Sequence, residues 1–159
     1  MTEPATSWTI VGPEPGHAPV CEPILRALPD WFGIEEAIVH YVGEIDRLPT
    51  FRAVGGSGTT LGFISVKRHS AYAAELYVLG VRHALHRQGI GSAMLAAAEA
   101  WLRAQGVEYL QVKTLSPAHP DPNYARTRLF YEAAGFRPLE EMPELWGEAN
   151  PCLIMVKHL

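Results

Sequence analysis

Apolar residues recur along this chain at two different periods, and the alternation between them maps the elements. Between Gly91 and Gln105, Met94, Leu95, Ala98, Trp101 and Leu102 share one face at helical spacing, and Gly106 supplies a C-terminal stop. That pattern predicts a helix. The run Ala73 to Val81 is apolar on both faces apart from Glu75, which predicts a central strand covered on both sides. Thr50 to Val54 and Leu61 to Lys67 read as strands of a hairpin whose tip is Gly55-Gly56-Ser57-Gly58-Thr59. Helical spacing returns at Ile24 to Leu28, Ile34 to Ile45 and Tyr124 to Ala134, the last closed by Gly135. Further strands are expected around Trp8 to Val11, at Glu108 to Thr114, at Phe136 to Glu140 and at Cys152 to Lys157. Strands and helices mix in an α/β (α+β) order that predicts a three-layer sandwich, a sheet with helices on both faces.

Composition narrows this picture without redirecting it. A chain of 159 residues, 48% hydrophobic and 19% charged, is expected to be one globular domain over 1–159, with 1–7 a loose lead-in. A formal net charge of −4 argues against a general grip on nucleic acid, which rests on lysines and arginines that neutralise phosphates. No apolar run approaches the length of a membrane span and no targeting segment opens the chain, so a cytoplasmic protein is expected. Cys21 and Cys152 are too few for a disulfide framework and wrongly spaced for zinc, and are expected to be unpaired thiols.

The candidate chemistry concentrates where the central strand meets the long helix. Residues His86, Arg87, Gln88, Gly89, Ile90, Gly91 and Ser92 form a loop with two glycines opening onto a helix N-terminus. Such a loop lets backbone N–H groups approach an anion, and the helix dipole favours phosphate there, so a pyrophosphate cradle is one reading. A plain helix start is the other. A dinucleotide fingerprint is disfavoured because Met94 replaces its third small residue, and the Gly55 to Thr59 tip lacks the Gly-Lys-Ser/Thr of a phosphate loop. His83 and His86 suggest metal only weakly, with no third ligand near in sequence, and no metal is expected.

The stretch His86-Arg87-Gln88-Gly89-Ile90-Gly91 resembles the signature Arg/Gln-x-x-Gly-x-Gly/Ala of the GCN5-related N-acetyltransferase (GNAT) family, which likewise follows an apolar strand and begins a helix. Tyr124 to Phe136 is similar to the family's late helix ending in Tyr-x-x-x-Gly-Phe, and the two motifs occur in the family's order. His86 stands where the family carries Arg or Gln, and Tyr124 where many members carry Asn, with Asn123 one position out of register. The resemblance covers roughly residues 8 to 158. It implies a mixed central sheet splayed between two central strands, and direct acetyl transfer from acetyl-CoA to an amine of a small molecule or peptide.

By that resemblance Leu79 and Val81 offer backbone groups to the pantetheine arm, while His86 to Ser92 hold the pyrophosphate. An alkyl amine of pKa ~10 must lose a proton before it attacks, which makes Glu75 the candidate base. Alternation puts Glu75 on the face of Tyr77, Leu79 and Val81, where partial burial would tune it; the competing reading is a carboxylate hydrogen-bonded for structure. Tyr131 is the candidate acid for the departing thiolate, or else an aromatic packed in the core. Trp31, Phe32 and Trp146, with acidic neighbours, are expected to receive a cationic amine, or else to cover the core or form a homodimer contact. A non-catalytic acyl-CoA sensor would keep the cradle and need neither Glu75 nor Tyr131.

Overall fold

The computed structural model describes residues 7–159, so the expected lead-in lies outside the described residues except for Ser7, which has no regular structure. In chain order the elements are β1 (Trp8–Glu14), α1 (Ala18–Arg26), α2 (Glu35–Ile45), β2 (Thr50–Gly55), β3 (Thr60–Arg68), β4 (Ala73–Val81), a 3₁₀ turn (His83–Leu85), α3 (Ile90–Ala104), β5 (Tyr109–Leu115), α4 (Pro122–Ala133), β6 (Arg137–Met142) and β7 (Cys152–His158). The strands form one mixed seven-stranded sheet in the order β1-β2-β3-β4-β5-β7-β6, with β4 at its centre. Two compact units can be distinguished: Met1–Lys67 with Val78–Trp101, and Arg68–Tyr77 with Leu102–Leu159. The division falls inside β4 and inside α3.

In the first unit β1, β2 and β3 pair antiparallel, and the β2–β3 turn is closed by Gly55 N donating to Thr59 O and Gly58 N to Gly55 O, both at 2.9 Å. Helices cover both faces. A Cβ on Gly80 would meet Ile24 of α1 at 3.2 Å and Phe63 at 3.3 Å, while one on Gly62 would meet Met94 of α3 and Val81, each at 3.2 Å. Consecutive strand residues point to opposite faces, so α1 lies over the Phe63–Gly80 face and α3 over the other. Glycine at position 80 lets α1 approach that closely.

Helix α1 starts six residues before the expected Ile24 and ends at Arg26 rather than Leu28. Pro23 suggests a break in the sequence, yet Ala18, Cys21, Ile24 and Leu25 form one buried stripe, and its burial outweighs the single hydrogen bond a proline removes.

In the second unit β5 runs parallel to β4, with register from Ala73–Tyr109 to Leu76–Val112, and β7 pairs antiparallel with both β5 and β6. Helix α4 starts two residues before the expected Tyr124. Pro122 fits its first turn, and Asp121 caps it by accepting from Asn123 N (2.8 Å) and Tyr124 N (3.1 Å).

Candidate functional site

Within the first unit, β4 ends at Val81 and the chain reaches α3 through the 3₁₀ turn and residues 86–89. Arg82 fixes the exit from the strand: its amide donates to Leu61 O (3.0 Å) and its Nε to Thr60 O (2.9 Å). Arg87 then takes φ +66° and Gly89 φ +83°, two left-handed residues only two apart. Left-handed backbone of this kind turns successive N–H groups inward and shapes an anion-binding concavity, and an arginine held there is strained by roughly 1–2 kcal/mol. The α3 ladder begins with Ala93 N donating to Gly89 O (3.0 Å), so the amides from Gly89 to Ser92 stand ahead of it at the positive end of the helix dipole. Apart from Gly89 itself and its two chain neighbours, no atom lies within 4 Å of where a Cβ on Gly89 would sit, so the backbone is accessible at that point.

His86 serves this loop by its side chain. Its Nε2 is 2.7 Å from Val81 O, and a carbonyl only accepts, so Nε2 carries the hydrogen. The ring packs edge-on against Trp31 at 5.6 Å and tilts against His83 at 5.0 Å. His86 therefore ties the loop back to the end of β4, and one lone pair of the Val81 carbonyl is already taken. Sequence reasoning left the role of His86 undefined because its partners lie 5 and 55 positions away. Among the described residues no group of three or more His, Cys, Asp or Glu is placed to hold a metal ion.

Glu75 and Tyr131 both belong to the second unit. Glu75 is 3% exposed, and its surroundings differ from the partly apolar setting expected of its strand neighbours. Its Oε1 accepts from His69 Nε2 (2.7 Å) and from Lys113 Nζ (3.1 Å), and its Oε2 from Lys113 Nζ (3.3 Å). The register explains Lys113: Glu75 pairs with Gln111, and Lys113 is the next residue of β5 on the same face. His69 directly follows β3, and its amide donates to Ala73 O at 2.9 Å. Neither partner was legible in the sequence, since no local pattern links position 75 to 69 or 113.

Tyr131 is 5% exposed near the end of α4, with its ring at 5.5 Å from Phe130 and edge-on to Phe136 at 5.7 Å. Cys152 lies on β7, and burial pushes its thiol up to about 11, with Lys113 lowering and Glu75 raising it. Burial pushes Cys21, in the first unit, up to about 12 against the lowering effect of Arg52. Both are free and buried. Neither is a ready thiolate at neutral pH.

A family model described as an acetyltransferase (GNAT) domain matches residues 37–138, which is more than half of the chain. The chain belongs to the GNAT family. Over 84 residues it is 33% identical to a mycothiol acetyltransferase of Beutenbergia cavernae, a stretch that makes up 53% of this chain and 26% of that relative, so the chain spans about a quarter of its length. Among solved structures, a GNAT acetyltransferase from Elizabethkingia anophelis with acetyl-CoA bound superposes with TM-score 0.73 at 15% identity, covering 96% of this chain and 98% of that one. The PaiA N-acetyltransferase of Thermoplasma acidophilum in complex with coenzyme A gives TM-score 0.74 at 18% identity, covering 96% and 99%. At these identities the likeness is one of fold: the mixed sheet with helices on both faces is a GNAT fold.

Proposed function

We propose that this chain is an acyl-CoA-dependent N-acetyltransferase that moves an acetyl group from acetyl-CoA to a primary amine of a small molecule or peptide. The observation that carries the reading is the open left-handed turn at Arg87 and Gly89, set directly before the first turn of α3, whose hydrogen-bond ladder begins with Ala93 N donating to Gly89 O. A pyrophosphate fits that cradle, with His86, Arg87, Gln88, Gly89, Ile90, Gly91 and Ser92 around it. Two solved structures with coenzyme A or acetyl-CoA on the same fold support acetyl-CoA as the donor. The pantetheine arm would run along β4, where Leu79 and the remaining lone pair of Val81 offer backbone groups.

The β4–β5 register ends at Leu76–Val112 although β4 itself continues to Val81, and this supports a splay of the kind that admits the thioester. Glu75 would take the proton from the ammonium, and the neutral amine would attack the thioester carbonyl. Tyr131 would give its proton to the departing thiolate and regain one from the nitrogen, which sheds its second hydrogen as the amide forms. The elevated pKa values of Cys21 and Cys152 favour direct attack over an acyl-enzyme. Buried unpaired thiols also suit a reducing, cytoplasmic compartment. For the acceptor, Glu140, Glu144 and Glu148 with the part-exposed Trp146 favour a cationic amine.

Thiol release from acetyl-CoA, measured against spermidine, kanamycin and an N-terminal alanyl peptide, tests the reading. Release with one amine class supports it. A second reading, an acyl-CoA sensor without turnover, draws on Lys113 occupying both oxygens of Glu75. It requires thermal stabilisation by acetyl-CoA with no thiol released from any amine.

Two variants bear on individual residues. Tyr131→Phe should lower turnover by roughly 10²-fold with CoA affinity kept, and normal turnover would remove Tyr131 from the mechanism. His86→Ala loses the bond to Val81 O, worth about 0.5–1.5 kcal/mol, and should weaken CoA by roughly 2- to 10-fold by calorimetry. Pantetheine, which lacks the pyrophosphate, should be unaffected. Equal weakening of both ligands would show that His86 acts on the strand rather than on the loop.

A further inference from the structure

A buried base needs a way to discharge its proton, and the surroundings of Glu75 bear on how it does so. The carboxylate is almost wholly enclosed, at 3% exposure, and two cationic or titratable side chains reach it: Lys113 from β5 and His69 from the β3–β4 connection. Cys152 of β7 couples to the same pair by charge, but its thiol is held protonated by burial and carries nothing away. Lys113 cannot accept a proton either, because an ammonium has three donors and no lone pair. An imidazole can take a proton on one nitrogen and release another from its second.

His69 has the geometry for this. Its Nε2 lies 2.7 Å from Glu75 Oε1, and its side chain is 36% exposed, so one ring spans the distance from the enclosed carboxylate to water. Its backbone is held firmly. The amide donates to Ala73 O at 2.9 Å, and Ser70 Oγ accepts from Tyr72 N (3.2 Å) and Ala73 N (3.1 Å), which fixes the turn that enters the strand bearing Glu75. The ring is thus set by the same short segment that sets the carboxylate.

We propose that His69 is the proton outlet of Glu75, a positioning and relay residue that acts through the base without touching the acceptor. The inference rests on the reading of Glu75 as general base. The ammonium loses one proton to the carboxylate. With the ring hydrogen on Nδ1, Nε2 takes that proton from Oε1, and the imidazolium gives its Nδ1 hydrogen to water. The carboxylate is regenerated with Nε2–H donating to it, and one proton has passed from amine to solvent. At rest Nε2–H thus donates to the ionised carboxylate, and once Glu75 takes the next proton, exchange with water through the exposed part of the ring moves the ring hydrogen to Nδ1 and leaves Nε2 bare to accept.

The test compares His69→Gln and His69→Ala with the wild type, using acetyl-CoA and whichever amine of the panel turns over. Glutamine keeps a donor for Oε1 but cannot relay, whereas alanine leaves room for imidazole added to the buffer. Both variants should lose turnover by roughly 10-fold with KM for acetyl-CoA unchanged. Imidazole should restore the alanine variant and leave the glutamine variant slow. Wild-type turnover in His69→Gln, or no response of His69→Ala to imidazole, would reduce His69 to a structural hydrogen bond. Glu75→Gln run in parallel separates the two ideas. If it is fast, the base assignment falls and the outlet with it; if it is slow while His69→Gln is fast, only the outlet falls.

Discussion

Glu75→Gln is expected to lower turnover with acetyl-CoA and a primary amine by roughly 10²- to 10³-fold, the range of a positioned general base. At neutral pH an alkyl amine of pKa ~10 is almost wholly protonated, so nearly every productive encounter needs the proton removed. Glutamine has the size of glutamate but no basic oxygen. In the variant only amine that is already neutral can react, so the fall of kcat/KM at low pH should move up toward the amine's own pKa of ~10, while affinity for CoA, which the proposal places on residues 86–92, should hold. The substitution also turns one acceptor oxygen into a donor facing His69 or Lys113. Leaving a buried polar contact unmade costs about 1–3 kcal/mol, and the 28% exposure of the Lys113 side chain favours the lower end. A variant that keeps the wild-type pH profile and the rate would place the base elsewhere.

The second large effect concerns the cradle and comes with its own control. Gly89 and Gly106 have nearly the same φ, +83° and +82°, and beyond its own chain neighbours neither has any atom within 4 Å of an added Cβ. Gly89 opens α3; Gly106 follows its end, where Val107 N donates to Leu102 O at 3.0 Å. Alanine at either site should cost a similar ~1–2 kcal/mol of stability, because the left-handed conformation crowds any Cβ. Only Gly89→Ala should weaken CoA, since the new methyl would enter the space that phosphate oxygens need. Losing one charge-assisted hydrogen bond to the loop is worth about 1.5–3 kcal/mol, or roughly 10- to 100-fold in affinity. Equal CoA binding by the two variants, measured by calorimetry beside thermal melts, would remove the pyrophosphate from this loop.

These variants also divide what the chain reveals locally from what it conceals. The elements were legible because burial on one face imposes a period, 2 for strands and 3.6 for helices, that a linear reading detects. Thus Ala73 to Val81 was delimited residue for residue, and α3 shifted by only one position. The start of α1 was missed, with the helix expected only from Ile24, because the stripe of Ala18, Cys21, Ile24 and Leu25 is stabilised by packing that no propensity reports.

The loop ahead of α3, too, was legible in sequence: strand, loop, two glycines and helix are contiguous, and the backbone of such a segment is a local property. Only the tertiary structure decided how the titratable groups are wired. It joined His69 and Lys113 to Glu75 through a turn and a parallel register, and it set His86 against Val81 and Trp31. Side-chain partners from different strands meet only once register is fixed, and register depends on the burial of whole faces rather than on neighbours in the chain.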